Sequence, residues 1–247
     1  MANPDIKKNL NQIINDFNFQ CTKKYKLVIL MGLLGDFDSI EYGINLTKFM
    51  NSDPKAKFLD IFIVAIGNSA GKEKFCKFTG LPEKYLKIVE SNQIQTNLGG
   101  SKGLDIGFGG WINMLLMLVG IGSPKTLREV FRGYTGDRNS KEIYKGNDQI
   151  NLFNFFKFEG NTFKRAFGNG YLRPFELATF RLINMIEIIN HWNDYIFNSK
   201  YLPQRVATYL IDYKDTIIYE YISKDILNYS QNMSDPLEFL HRNLKNE

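Results

Sequence analysis

Cysteine is nearly absent. The 247 residues contain two, Cys21 and Cys76, and only two histidines, His191 and His241. A secreted disulfide scaffold carries more cysteines in a shorter chain, so this fold must close on an apolar core of its own. The histidines fall in separate segments with no ligand spacing around them, and no metal site is expected. The N-terminus, "MANPDIKKNLNQIINDF", lacks the apolar centre of a signal peptide. Ile6, Leu10, Ile13, Ile14 and Phe17 instead recur at helical spacing. These features predict a reducing, cytoplasmic setting.

Charge of one sign is also scarce. The net charge is +5 from 31 basic and 26 acidic residues, too thinly spread for a nucleic-acid-binding stripe. No clean apolar run reaches the roughly 20 residues that a membrane span needs. The nearest is "IGFGGWINMLLMLVGIGSP" (106–124), uncharged but broken by glycines, Asn113, Ser123 and Pro124. Its strongly apolar part, Trp111–Val119, is too short to span. Burial of this stretch is the first expectation, and a partner surface or peripheral membrane contact the second.

What is present describes a packed globular protein: 44% hydrophobic, 14% aromatic and 23% charged residues. The order of patterns is strand, helix, strand, helix, strand over 26–35, 38–51, 57–67, 69–80 and 84–91. The three strand segments are apolar or β-branched and the helices are amphipathic, which predicts a parallel α/β core with right-handed crossovers. Gly80 is suited to a left-handed helix cap. The stretch 92–172 is less regular, with a helix predicted over 123–136 behind Pro124. Residues 173–197 carry the longest helical periodicity in the chain. Residues 204–223 alternate on both sides of "DYKD" and predict a β-hairpin. "SDPLEFLHRNL" predicts a last helix with Asp235 as N-cap, Pro236 at its first position and Glu238 completing a capping box.

Several motifs fail on their own chemistry. "GNSAGKEK" has three residues between its first glycine and the Gly-Lys pair where a phosphate loop needs four, and Glu73 stands where a metal-binding hydroxyl is required. "GFGGW" lacks a strand–turn–helix context. "GDFDS" has the Asp-x-Asp pattern of haloacid-dehalogenase-like phosphatases, with Asp36 as nucleophile and Asp38 as general acid. The late acidic pair that would complete the metal site is missing, since Asp137, Asp148, Asp194 and Asp212 stand apart.

"RVATYLIDYKDTIIYEY" is similar to the peroxiredoxin segment in which an arginine precedes a strand ending in Ile-Asp, then a Lys-Asp turn and a return strand. "LGDFDSIEYGINL" sits where peroxiredoxins carry their cysteine turn, between the first core strand and its helix. "EKFCKFTGLP" resembles the next helix of the peroxiredoxin-like AhpC/TSA group, in the form associated with photosynthetic prokaryotes. The resemblance covers 25–100 and 200–225. It implies a thioredoxin-like mixed sheet flanked by helices in a single domain, 1–247. Within it, 1–24 is a helical extension, 25–100 and 200–225 the core, 101–199 a helical insert and 226–247 a C-terminal helix.

In that alignment Asp36 occupies the position of the peroxidatic cysteine and Ser39 that of a second cysteine. Thiol peroxidases need a thiolate to attack the peroxide O–O bond, and a carboxylate cannot replace it. The resemblance therefore implies a vestigial redox site of Asp36, Asp38, Ser39 and Arg205. Arg205 is expected to face Asp36, with Ser39 or Asp38 capping the helix. The implied role is a binding or structural module without a cofactor. Its expected partner is a protein, a second copy of the chain or the photosynthetic apparatus at the cytoplasmic face of its membrane. The open alternatives are a peroxide reductase using Cys76 and the phosphatase reading of Asp36 and Asp38. Cys76 is expected to be buried and inert, and Cys21 lies beside Lys23 and Lys24, which favour a thiolate.

Overall fold

The computed structural model describes residues 4–19, 21–152 and 156–244. In chain order it contains α1 (Pro4–Asp16), β1 (Tyr25–Leu33), α2 (Phe37–Ser52), β2 (Leu59–Ile66), α3 (Ser69–Thr79), β3 (Leu86–Val89) and α4 (Gln93–Asn97). There follow α5 (Gly110–Leu118), α6 (Pro124–Thr135), β4 (Gln149–Leu152), β5 (Phe156–Glu159), α7 (Asn161–Phe167) and α8 (Glu176–Asn190). The chain ends through α9 (Trp192–Tyr195), β6 (Ala207–Ile211), β7 (Ile217–Ile222) and α10 (Glu238–Asn243).

Five strands form one mixed sheet in the order β3-β2-β1-β6-β7. β1 pairs in parallel with β2, and β2 with β3; β6 runs antiparallel to β1 and carries β7 beside it. The hairpin thus shares the sheet with the parallel strands, as its alternation predicts. Its turn is closed by Asp212, whose carboxylate accepts the amides of Lys214 at 2.9 Å and Thr216 at 2.8 Å.

β1 is apolar throughout because both its faces are covered. On one face Leu27, Ile29, Met31 and Leu33 pack with Ile40, Tyr42 and Leu46 of α2 and Phe75 of α3. On the other, Val28 and Leu30 meet Leu10, Ile13 and Ile14 of α1. The N-terminal helix, an extension on sequence grounds, is therefore the layer that closes the second face of the sheet. Leu10 is fully buried there, and truncating such a leucine to alanine costs about 2–5 kcal/mol.

Three expectations need correction. The helical periodicity over 173–197 is not one helix. Phe175 adopts a left-handed backbone with φ 64°, α8 starts at Glu176, and the helix breaks at His191, after which Trp192 stacks on Trp111 at 4.9 Å. The last helix starts at Glu238, two residues late, because the Glu238 carboxylate accepts from Asn232 at 2.8 Å and pairs with Arg242 instead of completing a capping box. Trp111 and Leu115, expected first of all to be buried, are 43% and 54% exposed on α5. No described helix is long and apolar enough to cross a membrane.

Candidate functional site

β1 delivers the chain into a turn whose last residue, Asp36, has an extended backbone and starts α2. The Ile40 amide donates to the Asp36 carbonyl at 3.2 Å, but the Asp36 side chain caps nothing. Arg205 takes it instead. This arginine lies just before β6, which neighbours β1 in the sheet, and its side chain is fully buried. Its Nη1 is 3.0 Å from Asp38 Oδ2 and 3.3 Å from Asp36 Oδ2. Nε donates to the Pro203 carbonyl at 2.7 Å and Nη2 to the Leu202 carbonyl at 2.6 Å. Backbone carbonyls thus hold two edges of the guanidinium, and the remaining one faces the two carboxylates.

The approach depends on Gly32 in β1. A Cβ there would lie 2.5 Å from the Gln204 carbonyl oxygen, so a side chain would push the 204–205 segment off the strand. Gln204 anchors that segment, donating to the Ser101 carbonyl at 2.7 Å and accepting from Asn92 at 2.9 Å.

Two buried carboxylates share one guanidinium, which leaves one negative charge in excess. Burial raises the Asp38 carboxyl well above its usual range, and the charge of Asp36 adds to the effect against the pull of Arg205. Asp36 is raised as well, by burial, with Arg205 opposing. Asp38 is the member that keeps a proton more readily. Ser39 is fully buried, and among the described residues its hydroxyl has no partner; one oxygen each of Asp36 and Asp38 also lacks a hydrogen bond there. Among the described residues the expected capping by Ser39 or Asp38 is absent: the Asp38 carboxylate accepts from Arg205 instead, and the Ser39 hydroxyl meets no partner.

A second buried charge chain lies beyond the first, and sequence reasoning misses it. Glu41, one turn along α2 from Asp38, accepts from Arg181 Nε of α8 at 2.8 Å. Arg181 also donates to the Glu129 carbonyl of α6 at 2.9 Å, and Arg132 pairs with the Glu129 carboxylate at 2.8 Å. Tyr229 stacks on Tyr42, with ring centroids 4.8 Å apart, and accepts from Asn45 at 2.6 Å. The signal available in the sequence was Arg181 itself, a charge inside the apolar run "ATFRLINM".

The thiols are elsewhere. Cys76 sits on α3 in the core beside Phe75, and burial pushes it up to about 11, with Glu83 adding and Lys72 opposing. Cys21 is exposed, yet its thiol is also raised, by partial burial against the opposing charge of Lys26 and with help from Asp60. The cation that acts on it is Lys26; the Lys23 ammonium donates to the Leu59 carbonyl at 3.0 Å. Both cysteines are free. Among the described residues, no group of three or more His, Cys, Asp or Glu side chains is placed to hold a metal ion. His191 lies 3.2 Å from Glu187 and His241 3.3 Å from Asp53.

The turn therefore combines two buried carboxylates, a guanidinium held by backbone carbonyls and a buried hydroxyl. It contains no nucleophile able to cleave a peroxide. The chain matches no protein-family model, no curated protein and no solved structure.

Proposed function

We propose that this chain is a peroxiredoxin-like protein of thioredoxin type that has exchanged its redox thiolate for a buried carboxylate pair. In this reading it works as a binding or structural module rather than as a thiol peroxidase. The observation that carries it is the Asp36–Arg205–Asp38 cluster at the end of β1. The arginine that precedes the hairpin reaches the turn where the resemblance expects a thiolate, and meets carboxylates there. The strand order β3-β2-β1-β6-β7 supports the same reading, because it sets the hairpin beside the strand that feeds the turn. The two free thiols fit a reducing, cytoplasmic setting. The resemblance directs the search for a partner to photosynthetic complexes and to a second copy of the chain.

The test is hydrogen peroxide consumption by the purified protein with dithiothreitol or thioredoxin as reductant. The expected rate equals that of the protein-free control, in wild type and in Cys76→Ser alike. Consumption that Cys76→Ser abolishes would replace this reading with a thiol peroxidase built on Cys76. Hydrolysis of a phosphate monoester, lost on Asp36→Asn, would replace it with the phosphatase chemistry of the Asp-x-Asp pattern.

A further inference from the structure

We propose that α5 and α6 form a docking surface for an anionic phospholipid bilayer. Between Asp105 and Lys125 the sequence carries no charge. Folding leaves one side of this run exposed. Ile106, Phe108, Trp111, Ile112, Leu115 and Val119 are all exposed, Phe108 to 68%. Trp111, Ile112, Leu115 and Val119 follow one another at one-, three- and four-residue steps, so they line one side of α5. The opposite side, with Asn113 and Met117, faces the protein.

α6 extends the surface and gives it a sign. Leu127, Phe131 and Tyr134 are exposed at four- and three-residue spacing along one edge of the helix. Thr126, Glu129 and Gly133 form its buried face. Lys125 and Arg128 are exposed on the edge beside the apolar one, and Lys102 is exposed before α5. Against these three cations stands one exposed acid in the same stretch, Asp105, because Glu129 is buried and paired with Arg132 and Arg181. The surface is thus an apolar centre with a cationic border.

That charge pattern selects the occupant. Anionic headgroups complement a cationic border, at about 1 kcal/mol for each Lys or Arg near the surface. A second copy of the chain would set Lys125 and Arg128 against a border of the same sign, since a two-fold contact pairs a patch with itself. α5 is about 14 Å long, half the thickness of a hydrocarbon core, so it lies in the interface and does not cross it. Aromatic and leucine side chains on one side with cations at the edge are the pattern of such an interfacial helix. An apolar cleft of about 500 Å³ between α6 and α8, with Leu118, Val130 and Leu182 in its lining, opens beside the surface.

The chain contains two tryptophans, Trp111 and Trp192, and they stack on each other at this surface. Intrinsic fluorescence therefore reports directly on it. The experiment is flotation of the full chain with vesicles of phosphatidylcholine alone and of phosphatidylcholine with one quarter phosphatidylserine, read together with tryptophan emission and iodide quenching. The expected result is flotation with the anionic vesicles alone, a blue-shifted and iodide-protected emission, and release at high salt. The double change Lys125→Glu/Arg128→Glu should weaken partitioning at least about tenfold. Phe108→Asp/Leu115→Asp should abolish it with the cationic border intact. All four positions are exposed, and circular dichroism checks that the variants keep the fold. Failure of wild type to float, binding that both double variants leave unchanged, or iodide protection arising from self-association without vesicles would each overturn the proposal. None of these outcomes depends on whether the Asp36 turn has lost peroxidase chemistry.

Discussion

Arg205 donates to Asp38 at 3.0 Å across 167 residues of sequence, and the same nitrogen lies 3.3 Å from Asp36. The side chains of all three residues are buried. Removing the arginine would leave two carboxylates in a dry site with no counter-charge. Arg205→Met is therefore expected to destabilise the protein by about 3–5 kcal/mol, the cost of orphaning one side of a buried ion pair. Urea unfolding measures it. Arg205→Met/Asp38→Asn should recover part of the loss, because it removes one of the two orphaned charges.

The pH dependence of stability has a definite sign at Asp38. Its carboxyl is raised in the folded protein, chiefly by burial. Between the ordinary carboxylate range and that raised value the folded state binds more protons than the unfolded one. The contribution of this group to stability is thus complete below about pH 4 and is lost as pH rises through the folded value. Asp38→Asn should remove that decline. Denaturation of both proteins from pH 4 to pH 8 is expected to show the variant gaining on wild type as pH increases.

Arg181 joins α8 to α2 through Glu41 and to α6 through Glu129. Arg181→Met should cost about 3–5 kcal/mol in urea unfolding, since Glu41 is buried. Glu41→Gln added to it should restore a large share, because a neutral amide pays far less for burial than an unpaired carboxylate.

The two thiols should separate cleanly in alkylation. Cys21 is exposed and Cys76 is core, with its thiol pushed up to about 11. Iodoacetamide at pH 8 followed by mass spectrometry is expected to modify Cys21 in the native protein and Cys76 only in denaturant. Rapid native modification of Cys76 would reopen the thiol-peroxidase alternative.

Legibility in the sequence followed the range of the interactions. β1 and β2 were readable because strands covered on both faces leave continuous apolar runs. The hairpin was readable from its alternation, and the end of α3 from Gly80, which does take a left-handed backbone with φ 74°. The amphipathic face of α1 showed that it must be covered, but not by which side of the sheet. The pairing of Glu41 with Arg181 joins residues 140 apart and leaves no local pattern. The exposure of α5 ran against its composition, because an uncharged run reads as core until the packing around it is known. At the turn itself, the sequence yielded the carboxylates and the arginine. It did not reveal that Arg205 would also fill its donors with the carbonyls of Leu202 and Pro203, which fixes its orientation.

Arg205 holds the Asp36 carboxyl in place at the end of β1. A double-mutant cycle on stability measures that directly, using wild type, Asp36→Ala, Arg205→Met and the double variant. The Asp36→Ala change alone is expected to cost about 1–3 kcal/mol through the arginine left under-paired. The expected coupling energy between the two sites is at least about 1.5 kcal/mol, in the range of residues sharing one buried ion-pair network. A coupling below about 0.5 kcal/mol, as found for independent sites, would show that Arg205 does not hold Asp36.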